Sequence, residues 1–498
     1  MTSAKMTRRV FVKGTASAIA LISVPRLGFG QTPPTKFRLE WQQFKKTLQY
    51  TSFLNAVQRM KANTDATKPA SWRYWVNVHV NYCSHGKPYF LAWHRGYMCY
   101  FERQLQLVSG DTKLTLPYWD YYTNPNIPSE FTDRATGNPL YQQRTGTNVY
   151  NALDLSPFAS TVYNFQRGTT NAFETKFESA PHNPVHNIIG GVMADMTSPL
   201  DPIFYLHHAN VDRLWHAWAL PDGKGIPRTA NPYSSTNSDP YWSGTFTYAS
   251  GLTLPKYKAY YPGWLGYDYA NDNRPASLPP QAQSSPIKLV QAQMGQILNR
   301  PAHAKFAAAP GRAIAANRRS AGGVTDIDLD ENSVSAQLPV QAADTQLLQS
   351  IASARVTGGQ AVTGAYKSVK VVLDNIKITG AGKNGGFFYN IYLNLPQSGD
   401  VTSSRQRYFL GTLGAFELAG AAHHGSATLE YPATEAITNM AAADLGEVTV
   451  SLVRVNGEHA PRGKVLHVGE IRVELSTDEP FERGSSVPAS VDNCYCQR

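Results

Sequence analysis

The run Asp201-Pro202-Ile203-Phe204-Tyr205-Leu206-His207-His208-Ala209-Asn210-Val211-Asp212-Arg213-Leu214-Trp215 decides how this chain is read. From Leu206 it suits a helix, and it carries two adjacent imidazoles among apolar neighbours. Upstream, His182 and His186 are four apart, so they project from one helix face. Pro181 and Pro184 around them are tolerable only in a first turn. Earlier still, His94, Met98, Phe101 and Leu105 form one stripe of another helix. Several helices, each offering a histidine to a shared interior, are how bundles build metal sites.

Two histidine groups follow. His79, His85 and His94 are spaced by six and nine; His182, His186 and His208 by four and twenty-two. Imidazoles without thiolate or carboxylate partners suit Cu, Zn, Fe or Ni. Three neutral nitrogens per ion leave coordination positions open, as a reactive site requires. One such histidine alone reads as a hydrogen-bonded core residue. Eight of thirteen histidines between His79 and His216 do not, because all-apolar helices would be cheaper to bury. Spacing does not say whether the two groups meet.

These segments resemble a known family. His79 with Cys83-Ser84-His85, then Phe90-Leu91-Ala92-Trp93-His94-Arg95, resembles the copper-A region of tyrosinases and polyphenol oxidases. Leu116-Pro117-Tyr118-Trp119-Asp120-Tyr121 resembles the segment that follows it. His182-Asn183-Pro184-Val185-His186 and the Asp201–Trp215 run resemble the copper-B region. The likeness spans Trp72 to Trp218. It implies two copper ions, CuA on His79, His85 and His94, and CuB on His182, His186 and His208. His207 is then a packing residue or one that supports a ligand from behind, and Phe204 an aromatic neighbour of the site. Two one-electron metals side by side can serve O2, which redox-silent zinc cannot. The implied reaction is ortho-hydroxylation of a monophenol to a diphenol and oxidation of diphenols to o-quinones. The implied partner is thus a small phenol.

The resemblance extends to finer roles. A phenol with pKa near 10 must lose its proton. Glu178 and Asn183 take the positions that hold an activating water in the family, with Glu174 as the other candidate acid. Cys83, two residues before His85, stands where plant and fungal members form a thioether to that histidine. Asp212 is expected to orient an imidazole, or to pair with Arg95 or Arg213. Tyr267-Asp268-Tyr269 resembles a tyrosine motif whose partner is an arginine near the mature N-terminus, here Arg38. Diphenol-only or o-aminophenol oxidation, a haemocyanin-like O2 carrier and a zinc hydrolase are the alternatives.

Outward from the histidines, the chain divides. It has 498 residues, 42% hydrophobic and 16% charged, which is too long for one ordinary domain and too apolar for disorder. Residues 1–30 contain Thr7-Arg8-Arg9-Val10-Phe11-Val12-Lys13 and then an apolar stretch, a twin-arginine export signal. Export to the periplasm or beyond follows. The formal charge of +10 falls to +5 without that segment, which holds five basic residues and no acid. Such an excess does not argue for nucleic acid, and no later apolar run is long enough to span a membrane. Four cysteines exclude a disulfide scaffold.

Residues 31–275 are expected to form a mainly α catalytic domain, a four-helix bundle around the metals. Residues 276–367, rich in Ala, Gln, Pro and Ser, read as a linker with a short helix near Ile287–Leu298 and a protease-sensitive Arg318-Arg319. Residues 368–476 alternate with period two at Phe387–Leu395, Val448–Leu452 and Val465–Leu475, which predicts a small β-sandwich. In plant and fungal relatives such a domain covers the copper site, one side chain filling the substrate's place. Phe387, Phe388 and Tyr389 are the candidate plugs. The tail, 477–498, ends in Cys494-Tyr495-Cys496, suited to Cu(I) transfer or to an intermolecular disulfide. A homo-oligomer is left open.

Overall fold

Helices with aromatic buried faces make up the first part of the chain. The computed structural model describes residues 36–169, 171–219, 240–280, 307–309, 311–356, 366–395, 407–422, 427–438, 440, 445 and 448–478. The expected signal at 1–30, the Ile287–Leu298 helix and Cys494–Cys496 lie outside these residues.

Four helices carry the histidines. Helix α1 (Trp72–Tyr82) buries Trp72, Trp75, Val76, Val78 and His79. Helix α2 (Phe90–Ser109) buries the stripe His94, Met98, Phe101 and Leu105 and stops at Gly110, whose φ of 74° is the left-handed stop that glycine provides without strain. Helix α3 (Asn183–Ile189) has Pro184 in its first turn, as the spacing predicts, and follows a wide helical turn over Glu178–His182 that is broken at Ala180. Helix α4 (Ile203–Ala219) is buried along its whole length. It therefore runs through the middle of the helical core, its buried polar residues, among them Asp212 and Arg213, paired with partners there. Asp201 accepts the Ile203 N–H at its start and is held by both Arg144 nitrogens at 2.6 and 2.7 Å. A short parallel pair, β1 (Lys36–Arg38) and β2 (Tyr267–Tyr269), ties the two ends of this part together.

The second part is β-rich. It contains β3 (Ala307–Ala309), β4 (Arg312–Ala315), β5 (Arg318–Leu329), β6 (Val334–Leu338), β7 (Ser368–Ile378), β8 (Phe387–Leu393), β9 (Phe409–Gly414), β10 (Ala427–Pro432), β11 (Val448–Asn456) and β12 (Leu466–Ser476). One sheet has the order β9-β8-β11-β6; the other has β10-β7-β12-β5-β3, with β4 also on β5. Period-two residues share a core: Phe387, Tyr389 and Ile391 pack with Val371, Leu373, Ile471 and Val473. The opposite face of β8 is not solvated. Phe388, paired with Val455, joins the aromatic core of the helical part. That is why the whole of β8 is buried.

The boundary of this part differs from the expectation. The segment expected as linker, 276–367, supplies four strands and the helix α5 (Ala342–Val356). Arg318 and Arg319, read as a mobile cleavage site, lie in β5. There Arg318 pairs with Glu430 and Glu474, and Arg319 with Asp344. Among the described residues no helix is long and apolar enough to cross a membrane.

Candidate metal centre

The two histidine groups meet. His79 on α1, His94 on α2 and His85 in the loop between them form one set; His182, His186, His207 and His208 form the other. Within each set one ring nitrogen or more per residue lies within 4.8 Å of its neighbours'. Across the sets, the His94 and His208 rings stack at 4.5 Å, and those of His85 and His182 at 5.8 Å.

Hydrogen bonding fixes which nitrogen is free. A neutral imidazole has one N–H and one lone pair. His79 Nδ1 donates to the Met196 carbonyl, His94 Nδ1 to that of Phe90 and His186 Nδ1 to that of Met193, each at 2.8 Å. A carbonyl can only accept, so Nε2 of each ring carries the lone pair. His182 Nδ1 likewise donates to Asn183 Oδ1 at 2.8 Å. The Nε2 atoms of His79, His85 and His94 are all buried without a partner. Those of His182 and His186 converge on His208 Nε2 at 3.4 and 3.3 Å. Buried unpaired acceptors cost about 1–3 kcal/mol each. Two converging sets of them fit two metal ions. Burial keeps the rings neutral, lowering His79 to about 4 and His186 to about 3. His207 joins the second set more closely than a packing residue would: its ring stacks on His182 at 5.3 Å, and both its nitrogens are buried without a partner.

Aromatic walls surround the sets. Phe204 lies 4.2 Å from His208 and 5.1 Å from His79, and Phe90 lies 4.5 Å from His182. The residue over the second set comes from the β-rich part and was missed in the sequence. Phe416, at the start of α6 (Ala415–Ala422), stacks on His186 at 4.0 Å and 15°, and lies edge-on to His85 at 5.1 Å. Phe387 and Tyr389, two of the expected plugs, point into the β core, and Phe388 into the helical core. Asn187 holds the Phe416 segment: its Oδ1 accepts the Phe416 N–H at 2.9 Å and its Nδ2 donates to Glu417 at 2.7 Å.

The other expected residues have definite partners. Glu178 is buried; one oxygen accepts the Gly86 N–H at 2.7 Å and the other pairs with Arg167. Burial raises its pKa, with Arg167 opposing. Asn183 is engaged by His182 as described. Cys83 Sγ lies 3.2 Å from His85 Nδ1. Asp212 pairs with Arg95 at 2.5 Å but not with Arg213, which turns to Asp120 and Asn210. Asp212 is the centre of the tyrosine clasp rather than an imidazole's partner: Tyr267 and Tyr269 donate to it at 2.6 Å, and Arg38 lies over the Tyr267 ring at 3.6 Å. Burial alone would raise its pKa; Arg95 and Arg38 hold it below the usual range.

A helical core enclosing two abutting imidazole sets defines a dinuclear metal protein. Residues 65–152 and 129–220 match the common central domain of tyrosinase. The chain is 32% identical over 241 residues to a tyrosinase of Hahella sp. (strain CCB-MM4), covering 35% of this chain and 52% of that one. It is 30% identical over 261 residues to chloroplastic catechol oxidase B of Solanum tuberosum, covering 41% and 44%. It thus spans about half the length of these curated relatives. A solved latent aurone synthase, a polyphenol oxidase, aligns with 90% of this chain and 92% of its own at 19% identity and a TM-score of 0.47. The central part of the chain, residues 65–220, thus matches the tyrosinase family, and these relatives are a tyrosinase and a catechol oxidase. The two imidazole sets could hold the pair of copper ions of that family.

Proposed function

We propose that the chain is a copper-dependent phenol oxidase that hydroxylates monophenols at the ortho position and oxidises o-diphenols to o-quinones with O2. The observation that carries this reading is the abutment of the two imidazole sets, which lets one small molecule meet both. Copper, when bound, supplies two electrons to O2 together. The residues of the chain do the rest. Phe90 and Phe204 exclude water from the imidazoles and offer faces for a phenol ring. In the hydroxylating reading, Glu178 and Asn183 hold a water that takes up the phenol proton, with the Glu178 carboxylate as its base.

The β-rich part is proposed as a cover that keeps the enzyme latent. Phe416 supports this, because it stacks on His186 where a substrate ring would lie. In this reading the four histidine helices act as a bundle, the two sheets act as a sandwich over it, and the chain is exported by the twin-arginine route. A Cys83–His85 thioether belongs to it as well.

Diphenol oxidation without hydroxylation is the second reading. It is favoured by the partners of Glu178 and Asn183, whose acceptor oxygens are occupied by Gly86, Arg167 and His182. Oxygen uptake on a monophenol and its matching diphenol, with copper content measured, decides between them. Uptake on both supports hydroxylation, uptake on the diphenol alone supports the second reading, and uptake on neither removes both. Phe416→Ala should raise turnover of a bulky diphenol up to about tenfold, since an aromatic stack is worth about 0.5–1.5 kcal/mol. Unchanged turnover at full copper loading rejects latency through Phe416.

A further inference from the structure

His85 is the one ligand of the first set that no helix holds, and the segment around it is gripped by residues of a distant stretch, Arg167 to Glu178. Gly86, beside it, has φ +66°, so its N–H is turned by a conformation glycine tolerates. That N–H donates to Glu178, and the Leu91 N–H at the other end of the segment donates to Glu174 at 3.2 Å. Glu174 and Glu178 are 0% and 3% exposed. Arg167 joins them: its guanidinium pairs with Glu178, and its backbone N–H donates to Glu174 at 3.3 Å. Glu178 also begins the wide helical turn, broken at Ala180, that ends at His182. One clamp therefore spans from the His85 loop to the first residue of the second set.

We infer that Arg167, Glu174 and Glu178 form a positioning device that holds His85 in register with His182. The inference rests on the dicopper reading. Two buried carboxylates repel each other unless a cation lies between them. Arg167 makes the pair tenable, and the pair fixes both ends of a segment that has no helical hydrogen bonds of its own. Without Arg167 the acids must separate or admit water, and the His85 loop yields first, because His79 and His94 sit on α1 and α2. Arg167 thus acts on the first copper through His85, without touching it.

The experiment loads the full chain with Cu(I) and follows release of each ion to a chelator, with circular dichroism to check the fold. In Arg167→Met one copper should leave about 10- to 100-fold faster, as for lost partners of metal ligands, while the other keeps its rate. Glu178→Gln should fall between the parent and Arg167→Met, because its amide oxygen still accepts the Gly86 N–H while its NH2 cannot pair with Arg167. This partial rescue separates the clamp from any proton-transfer role of Glu178. If Arg167→Met does not fold, Glu178→Ala carries the same expectation. Both ions leaving at parental rates from a folded variant overturns the inference. A parent chain that binds no copper overturns the dicopper reading and this inference with it.

Discussion

The two imidazole sets reach the same chemistry by different construction. In the second set two outer nitrogens are held from close by in the chain, His182 by Asn183 and His186 by the Met193 carbonyl, while that of His208 is buried without a partner. Both rings lie at the start of α3, and His208 comes from the fully buried α4. In the first set His79 reaches Met196, far along the chain, and His85 depends on a loop braced by Glu174, Glu178 and Arg167. The second set is locally self-supporting and covered from the β-rich part. The first is open at one ligand and secured by charge. A histidine set can thus be made rigid by helix geometry or by buried ion pairing, and the two respond differently to perturbation.

Removing a helical ligand from either set should have the largest effect. His94→Ala and His208→Ala should each lower catechol oxidation by about 1000-fold, the several kcal/mol a metal site supplies. Copper content should fall from two ions to one in each. If one variant retains both ions and the other loses one, the fourth imidazole, His207, substitutes in the second set, and the comparison sharpens.

The pH dependence of stability should separate the sets next. Burial raises Glu174 to about 7 from an ordinary 4.5, with Arg167 opposing. Between those values the folded chain keeps a proton that the unfolded chain has released. The contribution is therefore fully present below about pH 4.5 and is lost as pH rises through about 7. Glu174→Gln does not titrate. Relative to it, the parent should lose about 3 kcal/mol between pH 4.5 and 7.5, measured by denaturant unfolding of the metal-free chain. Parallel curves for the two proteins would mean that Glu174 is ionised throughout. The second set has no counterpart, since Asn183 and a carbonyl do not titrate.

The legibility of these features in the sequence follows the same division. Patterns of 3.6 and 2 are local, so the stripe His94–Leu105, the Pro184 first turn and strands β8, β11 and β12 could be read directly. Strand β5 could not, because Arg318-Arg319-Ser320-Ala321-Gly322-Gly323 has no apolar alternation and is a strand through its pairing with β3, β4 and β12. Contact with residues far along the chain hid Arg167 and Phe416 in the same way. Arg167 is one basic residue in a loop, and Phe416 finds His186 some 230 positions away in the numbering. Asp212 was placed one turn beyond His208, but spacing could not reveal that Arg38 and two tyrosines from β2 had claimed it.

The smallest effect should come from Cys83. Its Sγ touches His85 on the side away from the unpaired Nε2, and burial together with Glu178 holds the thiol neutral. A thioether there would fix the one ring that lacks a helix. Its loss in Cys83→Ser would return about 1 kcal/mol of ring freedom, about a fivefold faster release of one copper and no change at the other. Mass spectrometry gives the independent reading: a peptide carrying Cys83 and His85 should weigh two hydrogens less than its sequence in the mature, copper-loaded enzyme. If the mass is unshifted and Cys83→Ser still speeds release, the sulfur acts by contact alone. If neither changes, the carboxylate clamp holds His85 without help from its neighbour, and the first set depends wholly on charge.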